Sequence, residues 1–261
     1  MARPSFFSMD VATYLHRIDF REIPALDFET LRGSQGAHLL TVPFENLDIG
    51  LKRSIRLDEQ SLWNKIVLAR RGGFCYELNG LFAWLLKQVG FGVTYLEARD
   101  IHENGSLGPE FDHLALMVTV ADQPTRWLAD VGWGDTFTIP LDIDARGGQA
   151  QGSRAYKLEP IGDRLQLWQG GPDNNWQRQY SFTLQAHRFP DEYQATCLYH
   201  QTSPNSTFTQ RQIVSRLTHD GRVSLDERYL TITRNGLREK RPIKSDLAYR
   251  ALLREHFGLE I

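Results

Sequence analysis

Across residues 1–90, apolar side chains recur at helical spacing, and short acidic residues stand where each run begins. Val11, Tyr14, Leu15 and Ile18 follow Asp10, a fair N-cap; Phe28 and Leu31 follow Asp27; Leu62, Trp63, Ile66 and Val67 follow Asp58. Gly33 and Gly36 weaken the second of these helices, and Pro43, inside the stretch 41–47, argues for a break. The strongest run is Leu78, Leu81, Phe82, Leu85, Leu86 and Val89, entered through Gly72 and Gly73 and closed by Lys87 and Gly90. These residues read as a helical bundle.

After Gly92 the period shortens to that of a strand. Strands are expected at 93–98, 113–120, 126–131, 156–159, 164–168 and 176–182, separated by Gly, Pro, Asp and Asn turns, with exposed loops at 147–152 and 170–175. Short strands in series imply an antiparallel barrel or sandwich. Past Pro190 the pattern changes again: a helix over 191–200, a turn-rich crossing at 201–206, strands at 213–218 and 229–233, and a last helix. That helix is capped by Ser245, carries Tyr249, Leu252, Leu253 and His256 on one face, and ends before Gly258. The fold expected is α+β: a helical bundle over 1–90, an antiparallel β unit over 91–190, and an interdomain segment with a small α/β unit over 191–261.

Composition narrows the function. With 41% hydrophobic and 24% charged residues the chain is ordinarily globular, which argues against disorder. A net charge of -2 supplies no general field for nucleic acid or an anionic membrane, so any anionic ligand must be held locally. Two cysteines 122 residues apart (197 − 75) make neither a disulfide framework nor a metal-ligand pair. No apolar run approaches the roughly 18–20 residues of a membrane span, and no basic-then-apolar leader opens the chain. The expectation is a soluble, unprocessed, cytoplasmic protein with no metal.

The candidate chemistry starts at Cys75, in the first turn of the strongest helix, where free N–H groups and the dipole are expected to favour thiolate. Alone, such a thiol is commonly a small buried hydrophobe. Cysteine catalysis also needs an imidazole and a group that orients it. His113 and Asp130 lie on strands joined by 121–125, and they share a face only if the unpaired loop residues are even in number or a bulge intervenes. Asp130, among Trp127, Leu128, Ala129 and Val131, needs a partner if buried. Asp112 is a rival orienting acid, but its side chain should point to the opposite face from His113. Glu45 and Arg71 are either surface charges or a pair holding the Cys75 loop. Gly132-Trp133-Gly134 opens a dinucleotide fingerprint, but Phe137 stands in place of its third glycine.

Together, Arg-Gly-Gly-Phe-Cys-Tyr-Glu at 71–77, His113 opening a strand, Asp-Val-Gly-Trp-Gly at 130–134 and Pro-Phe-Glu-Asn-Leu at 43–47 resemble the arylamine N-acetyltransferase family. The stretches 203–208 and 221–225 look like its third-domain segments. The resemblance implies a helical bundle, a central β-barrel and a small α/β lid around a cysteine-protease-like catalytic core. It implies a triad of Cys75, His113 and Asp130, acetyl-CoA as donor, and an arylamine or arylhydrazine as acceptor, through a ping-pong cycle and an acetyl-cysteine. It also implies that Phe44, Trp133 and Phe208 line the substrate pocket. Trp133 departs from the family's Phe, and Asp135 from its usual small residue. A thiol-dependent amide synthase or hydrolase with another acyl donor is the alternative for the same triad.

Overall fold

The computed structural model describes residues 9–171 and 175–261, so of the loop expected at 170–175, positions 172–174 lie outside the described residues. The N-terminal part holds α1 (Val11–Arg17), α2 (Phe28–Thr41), α3 (Leu47–Gly50), α4 (Glu59–Trp63) and α5 (Cys75–Val89), with β1 (Phe44–Glu45) between α2 and α3. Asp10 caps as expected, and Asp27 and Asp58, where helices were expected to start, cap as well, the three accepting the N–H of Thr13, Thr30 and Ser61 at 2.8, 2.8 and 3.0 Å. Where the glycines predicted a weakened helix, α2 instead runs through both. A Cβ at Gly33 would come within 2.8 Å of the Phe20 ring, so that glycine is there for close packing. Helix α5 is buried at every position from Cys75 to Leu86 and ends at Gly90 with φ 113°.

Next come β2 (Gly92–Asp100), β3 (His113–Thr119), β4 (Arg126–Ala129), β5 (Leu141–Asp142), β6 (Gln149–Gln151), β7 (Arg154–Ile161), β8 (Arg164–Gly170) and β9 (Gln177–Phe182). They form one sheet in the order β5-β4-β3-β2-β9-β8-β7-β6, antiparallel throughout. Two glutamines stitch its ends into a nearly closed barrel. The Gln149 amide accepts the Asp142 N–H and donates to the Asp142 carbonyl, both at 2.9 Å. Gln151 accepts the Thr138 and Ile139 N–H groups at 2.8 and 3.0 Å and donates to the Ile139 carbonyl at 2.6 Å. Each side chain thereby satisfies backbone groups that an open edge would leave bare. The loop expected at 147–152 accordingly contains β6.

The remainder is α6 (Gln194–Thr202), α7 (Thr207–Gln210), β10 (Val214–Thr218), β11 (Gly221–Leu225), β12 (Tyr229–Arg234), β13 (Leu237–Pro242) and α8 (Asp246–Phe257). A second sheet runs β1-β10-β11-β12-β13, and β1 reaches it from the N-terminal part by pairing Phe44 with Ser215 and Glu45 with Val214. Leu253 and Phe257 of α8 cover Val214, Val223, Leu225 and Leu230 on one face.

Strand β3 is where the parts meet. Leu114, Leu116 and Val118 pack with α5, while Ala115 belongs to the barrel core with Leu128 and Phe182. A strand buried on both faces is apolar along its whole length, which is why 113–120 reads so plainly in sequence. None of the described helices is long and apolar enough to cross a membrane.

Candidate active site

Cys75 is the first residue of α5 and is 4% exposed. The tip of that helix is held by charge and close backbone contact. Glu45 N–H donates to the Gly73 carbonyl at 2.8 Å, and a Cβ at Gly72 would sit 2.0 Å from the Pro43 carbonyl oxygen, so only glycine fits there. Arg71 Nε donates to Glu45 Oε1 at 2.9 Å and its terminal nitrogen to Asp48 at 3.1 Å, so the expected Glu45–Arg71 pair is formed. Lys65 joins it, 2.7 Å from both Asp48 and Glu77. Glu77 Oε2 in turn accepts the N–H of Phe74, the residue before Cys75, at 3.1 Å. Burial pushes the Glu77 carboxyl up to about 7, with Lys65 opposing the rise and Glu45 adding to it.

Sequence reading did not find Arg17, whose guanidinium is buried against the carbonyls of Ile66, Thr41, Arg70 and Arg71. In the helical run it counts only as a polar position, and nothing local signals four carbonyl partners from distant segments.

The face condition on His113 and Asp130 is met. Thr119 pairs with Arg126 as the last rung, leaving 120–125 unpaired, an even number, with no bulge. His113 Nε2 lies 2.7 Å from Asp130 Oδ2, both side chains being 2% exposed or less. Asp130 is otherwise satisfied by the Asn79 amide and the Gly132 N–H, both at 2.8 Å on Oδ1. Asn79 lies one turn after Cys75 on α5. Its amide nitrogen also donates to the Leu114 carbonyl at 2.6 Å and its oxygen accepts the Val131 N–H at 2.9 Å, so one side chain pins the thiol's helix to both strands. The run predicted from apolar spacing passes over Asn79; the signal was a polar residue inside an otherwise buried helix face. Asp112 takes another partner: its Oδ1 is 3.0 Å from His200 Nε2.

Cys75 and His113 open onto one cavity of about 740 Å³, and Phe44, Trp133 and Phe208 line it too. The Trp133 ring stands edge-on to His113, centroids 4.9 Å apart, and Phe208 packs edge-on against Phe74 at 5.7 Å. At the rim Asp135 is clamped by Arg154 at 2.7 Å and Arg222 at 3.2 Å. Contrary to the sequence-based expectation, burial pushes the Cys75 thiol well above its ordinary value; the Asp112 carboxylate adds to the rise and a hydrogen bond from the Leu114 backbone opposes it. Burial at this position therefore works against the helix terminus.

A buried thiol sharing a cavity with an oriented imidazole, at the junction of a helical unit and an antiparallel barrel, is an arrangement suited to acyl transfer. The comparisons make it specific. The sequence pattern of the N-acetyltransferase family matches residues 27–261. An arylamine N-acetyltransferase of Escherichia coli (strain K12) is 34% identical over 251 residues, covering 95% of this chain and 88% of its own. The crystal structure of a Mycobacterium smegmatis arylamine N-acetyltransferase superposes with a TM-score of 0.90 at 32% identity, covering 97% of this chain and 93% of that one. That of the Mycobacterium marinum enzyme in complex with CoA gives 0.88 at 30% identity, covering 95% and 92%. The chain belongs to the arylamine N-acetyltransferase family, and its activity is the acetyl transfer to aromatic amines that defines the family.

Proposed function

We propose that the protein moves acetyl from acetyl-CoA to an arylamine or arylhydrazine through an acetyl-Cys75 intermediate, in a ping-pong cycle. The observation that carries this is the His113–Asp130 contact of 2.7 Å opening onto the cavity that Cys75 lines. With Nε2 committed to Asp130, Nδ1 is the nitrogen left to take the Cys75 proton. The thiolate attacks the donor thioester carbonyl, and the backbone N–H of Cys75, unpaired as the first of the helix, is a donor for the tetrahedral oxygen. Exchange of one thioester for another is nearly isoenergetic, so CoA leaves easily. The amine then attacks acetyl-Cys75, His113 takes its proton, and Asp130 stabilises the imidazolium. Phe44, Trp133 and Phe208 give a flat acceptor apolar walls and keep water from the thioester. In this reading residues 1–90 carry the nucleophile, 91–190 the imidazole and acid, and 191–261 the lid.

The test is intact-mass measurement after mixing with acetyl-CoA. One added acetyl group, mapped to Cys75 and discharged by an arylamine, is the expected result. No adduct under rapid quench, or CoA release that runs on without the amine, refutes acetyl transfer by this route; the second result would mark a hydrolase.

A further inference from the structure

The cavity holds a second acid–imidazole pair. His200 Nε2 lies 3.0 Å from Asp112 Oδ1, and its Nδ1 lies 3.1 Å from Ser206 Oγ. Asp112, His200 and Ser206 all line the cavity with Cys75 and His113. The position of Asp112 is fixed: its Oδ2 accepts the Asp100 N–H at 3.2 Å, and its carbonyl accepts the Tyr76 hydroxyl at 3.0 Å. The His200 ring packs at 6.1 Å from that of Tyr76, the residue next to Cys75, and at 5.2 Å from Phe208.

Ser206 meets only one of the two ring nitrogens; the other, Nε2, stands 3.0 Å from a cavity carboxylate, within ion-pair reach but without an aligned hydrogen bond among the described residues. A carboxylate beside a thiol opposes the thiolate, and Asp112 is the acid that weighs most on Cys75. The other ionisable groups around the pair include Asp100 from β2, His102 just past it, His113 from β3, Asp130 past β4, Tyr76 from α5 and Arg211 past α7. Of the imidazoles at the cavity, His200 is the one within ion-pair reach of Asp112 among the described residues. The contact acts through charge and proximity: a protonated imidazole 3.0 Å from the carboxylate offsets its charge without an aligned hydrogen bond.

We propose that His200 is a positioning residue for the acyl-transfer step: by engaging Asp112 it draws that carboxylate's charge away from the Cys75 sulfur and so favours the reactive thiolate. The inference rests on Cys75 as nucleophile.

Alkylation of Cys75 by iodoacetamide, mapped by mass across a pH series on the full-length protein, tests it without any donor. His200→Phe keeps the ring packing and removes both nitrogens; alkylation at neutral pH should slow about tenfold and its profile move to higher pH. Adding Asp112→Asn to that variant should restore the wild-type rate. Coincident profiles for H200F and wild type, or a double variant as slow as H200F, would overturn the proposal. Should H200F not fold, Asp112→Asn alone must alkylate faster than wild type on the acid side, and failure to do so overturns it as well. Acetyl transfer that survives complete alkylation of Cys75 would instead remove the nucleophile reading beneath it.

Discussion

Asn79 shows how much one side chain can settle. Its amide makes three buried hydrogen bonds, to the Leu114 carbonyl, Asp130 and the Val131 N–H. Truncation leaves each partner without its bond in a place water does not reach. Asn79→Ala should therefore cost about 2–4 kcal/mol in stability and, by letting Asp130 turn, lower kcat/KM by roughly 10–100-fold. Denaturant melts and steady-state kinetics measure the two effects. Stability that falls while kcat/KM holds would mean that Asp130 keeps its place without the amide. His113 and Asp130 could be placed on one face from the strand period alone, because parity is a property of the chain. Asn79 and Arg17 could not, since their partners come from segments far away in sequence.

At the scale of elements, the reactive helix begins where it does because charge and backbone fix its tip. Arg71 answers Glu45 and Asp48, and Lys65 answers Asp48 and Glu77, in a setting where the five side chains are 15% exposed at most. Arg71→Met leaves three carboxylates with one buried cation, Lys65, and the half-exposed Arg53 at 3.8 Å from Asp48; a buried charge stripped of its partner costs about 3–5 kcal/mol. A thermal melt should show that loss, and Glu45→Gln added to it should recover part by removing the orphaned charge. No recovery would mean that Arg71 acts through its carbon stem. The same scale shows why some elements were legible. Caps are local, so Asp10, Asp27, Asp58 and Ser245 marked four helix starts correctly. Strand β13 was missed because Leu237–Pro242 is exposed at every position and shows no apolar alternation. Strand β6 was missed because glutamine amides rather than packed side chains hold it.

Over the whole molecule, the order of helical part, barrel and terminal sheet was readable, since each change of hydrophobic period marks a change of architecture. The sharing of β3 between two cores and the reach of β1 into the second sheet were not, because periodicity gives a segment's type and not its neighbours. The helical core also carries a group that ties global stability to pH. His38 is fully buried against Tyr14 and Phe82, and neither ring nitrogen has a hydrogen-bond partner among the described residues. Burial, with Arg17 adding to it, pushes its pKa down from 6.5 to about 3. The folded protein thus keeps His38 neutral while the unfolded chain takes up a proton below about pH 6.5. The contribution is fully present above that pH and is lost progressively as pH falls toward 3; at pH 5 the loss is about 2 kcal/mol. His38→Leu, of similar volume and without nitrogens to bury, should match or exceed wild type at pH 7 and lose less stability between pH 7 and 5 by that amount. Denaturant midpoints across the range decide it: parallel pH dependence in the two proteins would show that the imidazole is protonated in the folded state and has found a partner.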